Sequence, residues 1–381
     1  MRGDVFTFRG GAIFDGERLR EGHALRLDAG VVTALDLEGE VAPAGEIVDL
    51  GGDILSPGYV DLQVNGGDGV MFNDDPSVET LRRMAAAHRR LGATTILPTL
   101  ITDTPDHSRR AIAAVAAAVA SGVPGIAGLH LEGPHLSLAR KGAHDPALIR
   151  PMTGDDLAML VEAAARLPLL MMTLAPENAT LEQVRVLAGA GVLIALGHTD
   201  ADYDTCLAYA GAGARCVTHL FNAMRQLGNR DPGVVGAALD VGGLSTGLIA
   251  DGLHVHPANL RAAFAAKRGP GEIYLVSDAM APAGTEITAF ELNGRVITRA
   301  DGRLTLGDGT LAGADLDLTR AVKVLVEDAG LPLARALRAA TSVPARVAGI
   351  GAGSLALGGT PALIRISRGL DGCSPVATIS A

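Results

Sequence analysis

Eight short apolar runs, at 59–64, 94–98, 126–131, 169–174, 192–196, 216–220, 246–250 and 273–276, dominate the middle of this 381-residue chain. As a set they are apolar rather than alternating, the pattern of strands buried on both faces in a parallel sheet. Parallel neighbours need long crossovers. Ala-rich or amphipathic stretches at 78–91, 106–120, 155–165, 181–188, 202–210 and 258–267 can supply them as helices. Eight such units closing on themselves predict an α/β fold, a (β/α)8 TIM-like barrel. An open doubly wound sheet is the competing reading, and the lack of a G-x-G-x-x-G after the first strand weakens it. With aromatic residues at 3 % and no Trp, the core must rest on Val, Leu, Ile and Ala.

The flanks have a different texture. Residues 1–55 read as short strands between Gly-rich breaks, and Ser56-Pro57-Gly58 marks a boundary. After the eighth run, 290–292, 296–299 and 304–306 look like an inserted hairpin region, with Asn293-Gly294 and Asp301-Gly302 as turn residues. Helices are expected at 316–328 and 333–340. Residues 351–381 return to the Gly-rich texture of the start. The expected organisation is a small β-sandwich domain made from both chain ends (1–55 and 348–381) beside a barrel at 56–347.

A formal net charge of −10 argues against a nucleic-acid-coating surface. Three Cys (Cys206, Cys216, Cys373) give neither a disulfide framework nor a cysteine zinc site. The start, Met1 to Phe6, lacks the apolar core of a secretory leader. The most apolar stretch, 111–120, falls short of the ~20 residues that span a bilayer. The expectation is a soluble, cytoplasmic protein with neither nucleic-acid nor membrane partner.

Barrels of this type place chemistry where strands end. Those ends carry Asp61-Leu62-Gln63-Val64-Asn65, His130-Leu131-Glu132, Gly197-His198-Thr199, Thr218-His219-Leu220-Phe221-Asn222, Asp251-Gly252-Leu253-His254 and Ser277-Asp278-Ala279. Charge at buried strand ends is rarely left unpaired. Glu132, His198 and His219, one carboxylate and two imidazoles, make a typical catalytic Zn²⁺ donor set with a position left open. Asp278 is then placed to act as a base on water.

The ordered motifs Ser-Pro-Gly-Tyr-Val-Asp at 56–61, His-Leu-Glu-Gly-Pro at 130–134, Gly-His-Thr at 197–199, His-Leu-Phe-Asn-Ala-Met at 219–224, Asp-Gly-Leu-His at 251–254 and Ser-Asp-Ala at 277–279 resemble the N-acetylglucosamine-6-phosphate deacetylase family of the amidohydrolase superfamily. The resemblance runs from about residue 56 to 345. It implies Glu132, His198 and His219 as metal ligands and Asp278 as the catalytic acid–base. It also implies His144 as a donor to the acetamido carbonyl, and Asn222, Ala223, Arg230 and His254 as the grip on the sugar phosphate. In the family that Arg can cross a homodimer interface.

Many amidohydrolases carry His-x-His where this chain has Gln63-Val64-Asn65, so one divalent metal is expected, Zn²⁺ or Fe²⁺. The implied reaction is metal-dependent hydrolysis of N-acetyl-D-glucosamine 6-phosphate. The alternatives are the galactosamine epimer, another amidohydrolase activity, or a non-catalytic barrel. His23, His88 and His107 are expected to be solvated. His135 and His256 sit beside the motifs with no assigned role. The Arg82, Arg83, Arg89, Arg90 stripe reads as a solvated helix face.

Overall fold

The computed structural model describes residues 5–376. Positions 1–4, within the stretch read for a leader, and 377–381, the tail of the proposed split domain, lie outside the described residues. Eight strands pair in parallel and in chain order, from Tyr59–Val64 through Ala93–Ile101, Leu129–Glu132, Leu170–Leu174, Leu193–Leu196, Cys216–Val217 and Ser245–Leu248 to Ile273–Leu275. Nearly all their residues are buried on both faces, because helices cover the outside. The helices start at polar caps. Thr153 and Thr180 form reciprocal capping boxes with Asp156 and Gln183, and Ser77, Thr104, Asp202 and Asp317 each accept a first-turn N–H. Each such cap contributes about 1 kcal/mol.

No ladder joins the eighth strand to the first. The barrel closes instead through residues at the strand ends. Val64 bridges Ala279, Asn65 N donates to Ala279 O at 2.8 Å, and Asp278 N donates to Gln63 O at 3.0 Å. Beneath them the buried Asp61 carboxylate accepts the Ser277 N–H at 3.2 Å and the Gln63 N–H at 3.2 Å. Burial pushes the Asp61 carboxyl up to about 7, even though those N–H groups pull it down.

Both chain ends do meet in a β-sandwich. One sheet runs Val31–Leu37, His23–Asp28, Val5–Arg9, Glu46–Asp49; the other runs Cys373–Val376, Leu363–Ile366, Ile54–Pro57, Ala12–Phe14, Leu19–Arg20. Phe8, Ile13, Leu25, Leu27, Leu55 and Leu363 fill the space between them. Glu17 of the sandwich pairs with Arg338 and Arg346, which also hold Glu272 at the start of the eighth strand.

Between barrel and final helices lies an antiparallel four-stranded sheet: Ala289–Leu292, Arg295–Ala300, Arg303–Leu306 and Leu311–Ala314. Its first two turns are Asn293-Gly294 and Asp301-Gly302, all four residues at φ between 50° and 71°, as two-residue hairpins demand. The fourth strand, Leu-Ala-Gly-Ala, has too little side chain to announce itself. The helix Gly233–Asp240 was likewise unforeseen. Its residues from Gly233 to Ala238 are all buried, so no amphipathic stripe marks it. His88 is a correction: it is buried, with Nε2 bonded to Gly66 O at 2.8 Å, holding the loop after the first strand. Among the described residues no helix is long and apolar enough to cross a membrane.

Candidate active site

Six of the eight strand ends send polar side chains into one cavity of about 370 Å³. Backbone strain aims several of them. His198, His219, Phe221, Ala223 and Asp278 all have φ between 25° and 77°, a left-handed conformation costing a non-Gly residue roughly 1–3 kcal/mol.

Glu132 Oε1, His198 Nε2 and His219 Nε2 form a triangle with sides of 3.3, 3.1 and 3.1 Å. All three residues are buried. His198 Nδ1 donates to Arg140 O at 2.8 Å, so its Nε2 carries a lone pair toward the other two atoms. Lone pairs converging in a buried site repel unless a cation lies among them. Tetrahedral ligands about 2.0–2.1 Å from an ion are about 3.3 Å apart, so the donor set fits one divalent metal. Desolvation would raise the Glu132 carboxyl, yet the adjacent imidazoles outweigh it and hold the group well below the usual carboxylate range.

Asp278 sits beside this triangle. Asn65 Nδ2 donates to its Oδ1 at 2.7 Å, and Gln63 Nε2 reaches both Asp278 Oδ1 (3.2 Å) and Glu132 Oε1 (3.1 Å). One oxygen is thereby occupied and the other left free. Burial and the charge of Glu132 raise the Asp278 carboxyl to about 6.

His144 lies across the triangle, its ring 4.4 Å from that of His198. Thr102 N donates to His144 Nδ1 at 3.3 Å, with the Thr102 hydroxyl 2.8 Å from the same atom. A backbone N–H can only donate, so Nδ1 accepts and the proton resides on Nε2. Burial lowers this imidazole to about 3, so it is a neutral hydrogen-bond donor. Gly142, at φ 55°, lets the preceding backbone pass close over His198, where a Cβ would stand 3.1 Å from Cε1.

His254, Asn222 and Ala223 also line the cavity. Asp251 Oδ2 holds His254 Nδ1 at 2.6 Å and fixes the ring. Arg230 is not brought to this cavity. It is exposed, on a loop outside the lining. His135 is buried, bonded to Arg150 O, and His256 caps a helix; neither lines the cavity. The sequence places Gln63, Asn65 and Asp251 at strand ends but assigns none of them a role, and it does not single out Thr102 or Arg140. Gln63 and Asn65 did leave a signal, since Asp61, Gln63 and Asn65 alternate on one face of an otherwise apolar strand. Arg140 lines the cavity and pairs with Asp200 at 2.6 Å.

The amidohydrolase family profile matches residues 54–371. The chain belongs to that family. This amidohydrolase is 45 % identical over 294 residues to an N-acetylgalactosamine-6-phosphate deacetylase of Shewanella sp. (strain ANA-3), covering 76 % of this chain and 73 % of that one. It is 35 % identical over 330 residues to the N-acetylglucosamine-6-phosphate deacetylase of Haemophilus influenzae, covering 86 % and 85 %. The crystal structure of N-acetylglucosamine-6-phosphate deacetylase from Pasteurella multocida superposes with a TM-score of 0.92 at 33 % identity, covering 98 % of each chain. Barrel and flanking β domain are thus one shared architecture.

Proposed function

We propose that this amidohydrolase hydrolyses the acetamido group of N-acetyl-D-glucosamine 6-phosphate, releasing acetate and D-glucosamine 6-phosphate. The observation that carries the reading is the convergence of the Glu132–His198–His219 triangle, Asp278 and the His144 Nε2–H in one cavity. Glu132, His198 and His219 would hold one Zn²⁺ or Fe²⁺, both of which accept this donor set. When bound, such an ion lowers the pKa of water and polarises a carbonyl. Asp278, through its free oxygen, takes a proton from the attacking water and passes it to the departing nitrogen. His144 donates from Nε2 to the carbonyl oxygen as negative charge grows there, a contribution of typically ~10²–10³ in rate. His254, Asn222 and the Ala223 backbone grip the sugar phosphate. Arg230, exposed and outside the lining of its own cavity, would serve a partner's cavity in a homodimer.

The galactosamine epimer is the second reading, and the 45 % identity to a deacetylase of that specificity favours it. The test is acetate release from both N-acetylhexosamine 6-phosphates and their unphosphorylated sugars, with metal analysis alongside. We expect the phosphorylated glucosamine substrate to turn over fastest. A faster galactosamine substrate selects the second reading. Equal rates without phosphate would remove the phosphate requirement. Absence of both metal and activity after Zn²⁺ or Fe²⁺ addition would defeat the enzyme reading.

A further inference from the structure

The four-stranded sheet inserted after the eighth barrel strand has no part in the chemistry above, yet it forms one wall of the cavity through Leu292, Leu311 and Gly313. It is fastened to both catalytic segments. Ala314 N donates to Asp278 O at 2.9 Å, and Arg295 Nη2 donates to Ala143 O, next to His144. Gly313 makes the first attachment possible: a Cβ there would lie 2.4 Å from Met280 Cγ and 2.8 Å from Asp278 O. The sheet therefore spans the gap between the base and the carbonyl donor, the two groups that must bracket the scissile amide.

The lining is of two kinds: Asn222, His254 and Arg140 are polar, whereas Ile101, Met280, Leu292 and Leu311 are apolar. Leu292, Met280 and Ile101 are at most 6 % exposed and continue directly into the core of the inserted sheet. A wall backed by a packed core cannot recede without cost, since overpacking typically destabilises by ~1–3 kcal/mol. The substrate has one wholly apolar part, its acyl chain, and one apolar wall to place it against.

We propose that Leu292, with Met280, sets the length of acyl group this enzyme removes. The inference rests on the deacetylase reading. It assigns the inserted sheet to acyl selection and leaves the sugar and phosphate to the polar lining residues. A single methylene in such a pocket discriminates by roughly 10–200-fold.

The test compares kcat/KM for N-acetyl, N-propionyl and N-butyryl forms of the preferred hexosamine 6-phosphate. The wild type should lose at least about tenfold from acetyl to propionyl, whereas Leu292→Ala should bring the two within about threefold. Met280→Ala serves as a second variant should Leu292→Ala fail to fold. An unchanged acetyl-to-propionyl ratio in a folded variant overturns the proposal, as does a wild type indifferent to chain length. Failure of the deacetylase reading is distinct: no acyl form of either hexosamine phosphate would then be cleaved.

Discussion

Two buried aspartates, Asp61 and Asp278, flank the seam between the first and eighth strands, and they are used in opposite ways. Asp61 spends both oxygens on backbone N–H groups from the two sides of the seam. Asp278 is held at one oxygen by the side chains of Asn65 and Gln63, leaving the other for chemistry. A carboxylate saturated by rigid backbone donors is a clasp. A carboxylate oriented by side chains, at a strained φ of 50°, is a tool. Burial raises the pKa of both, so a shifted pKa alone does not separate them; the identity of the donors does.

The sharpest break of this contrast is Asp278→Asn, which should cost about 10²–10⁴ in kcat and leave metal content and thermal midpoint close to wild type. Near-normal acetate release by this variant would end the mechanism. Asp61→Ala should do the reverse. It strands the Ser277 and Gln63 N–H groups in the core and should cost about 2–4 kcal/mol of stability in denaturant titration, with kcat per folded molecule nearly preserved. Smaller still is Thr102→Val, which removes the hydroxyl from His144 Nδ1. About a 10-fold fall in kcat with little change in KM is expected, the scale of loss for an outer partner that orients a catalytic imidazole.

The finest test is pH. The folded state holds the Asp61 proton to about pH 7, whereas an unfolded chain releases it near pH 4. Folded protein thus binds more protons between those values, and its stability falls as pH rises through that window. Asp61→Asn should flatten the decline. Parallel slopes in wild type and variant would show that Asp61 is ionised throughout.

Much of this was legible in the sequence, for physical reasons. All eight barrel strands were located because strands buried on both faces must be apolar. The donors Glu132, His198 and His219 stood out because charge at a buried strand end demands an explanation. The helix at Gly233–Asp240 was missed because burial all round erases amphipathic period. Thr102 gives no sequence signal because its work is done on His144, forty-two residues away, and Asp251, though quoted in a motif, gets no role because its work is done on the His254 ring. Arg230 was singled out by resemblance alone, and its exposed position outside the cavity lining shows that residue identity does not fix placement.

The pairing of Leu363–Ile366 against Ile54–Pro57 has a consequence for biosynthesis. Ile54–Pro57 runs, through Gly58, straight into the first barrel strand, so the entrance to the barrel is anchored by a strand made roughly 300 residues later. Chains are made from the N-terminus at ≈ 5–20 residues per second. For the roughly 300 residues that separate these partners, at least about 15 seconds pass in which one edge of Ile54–Pro57 waits unpaired. Barrel strands can pair during that interval, but the front edge is sealed only once Leu363–Ile366 has been made.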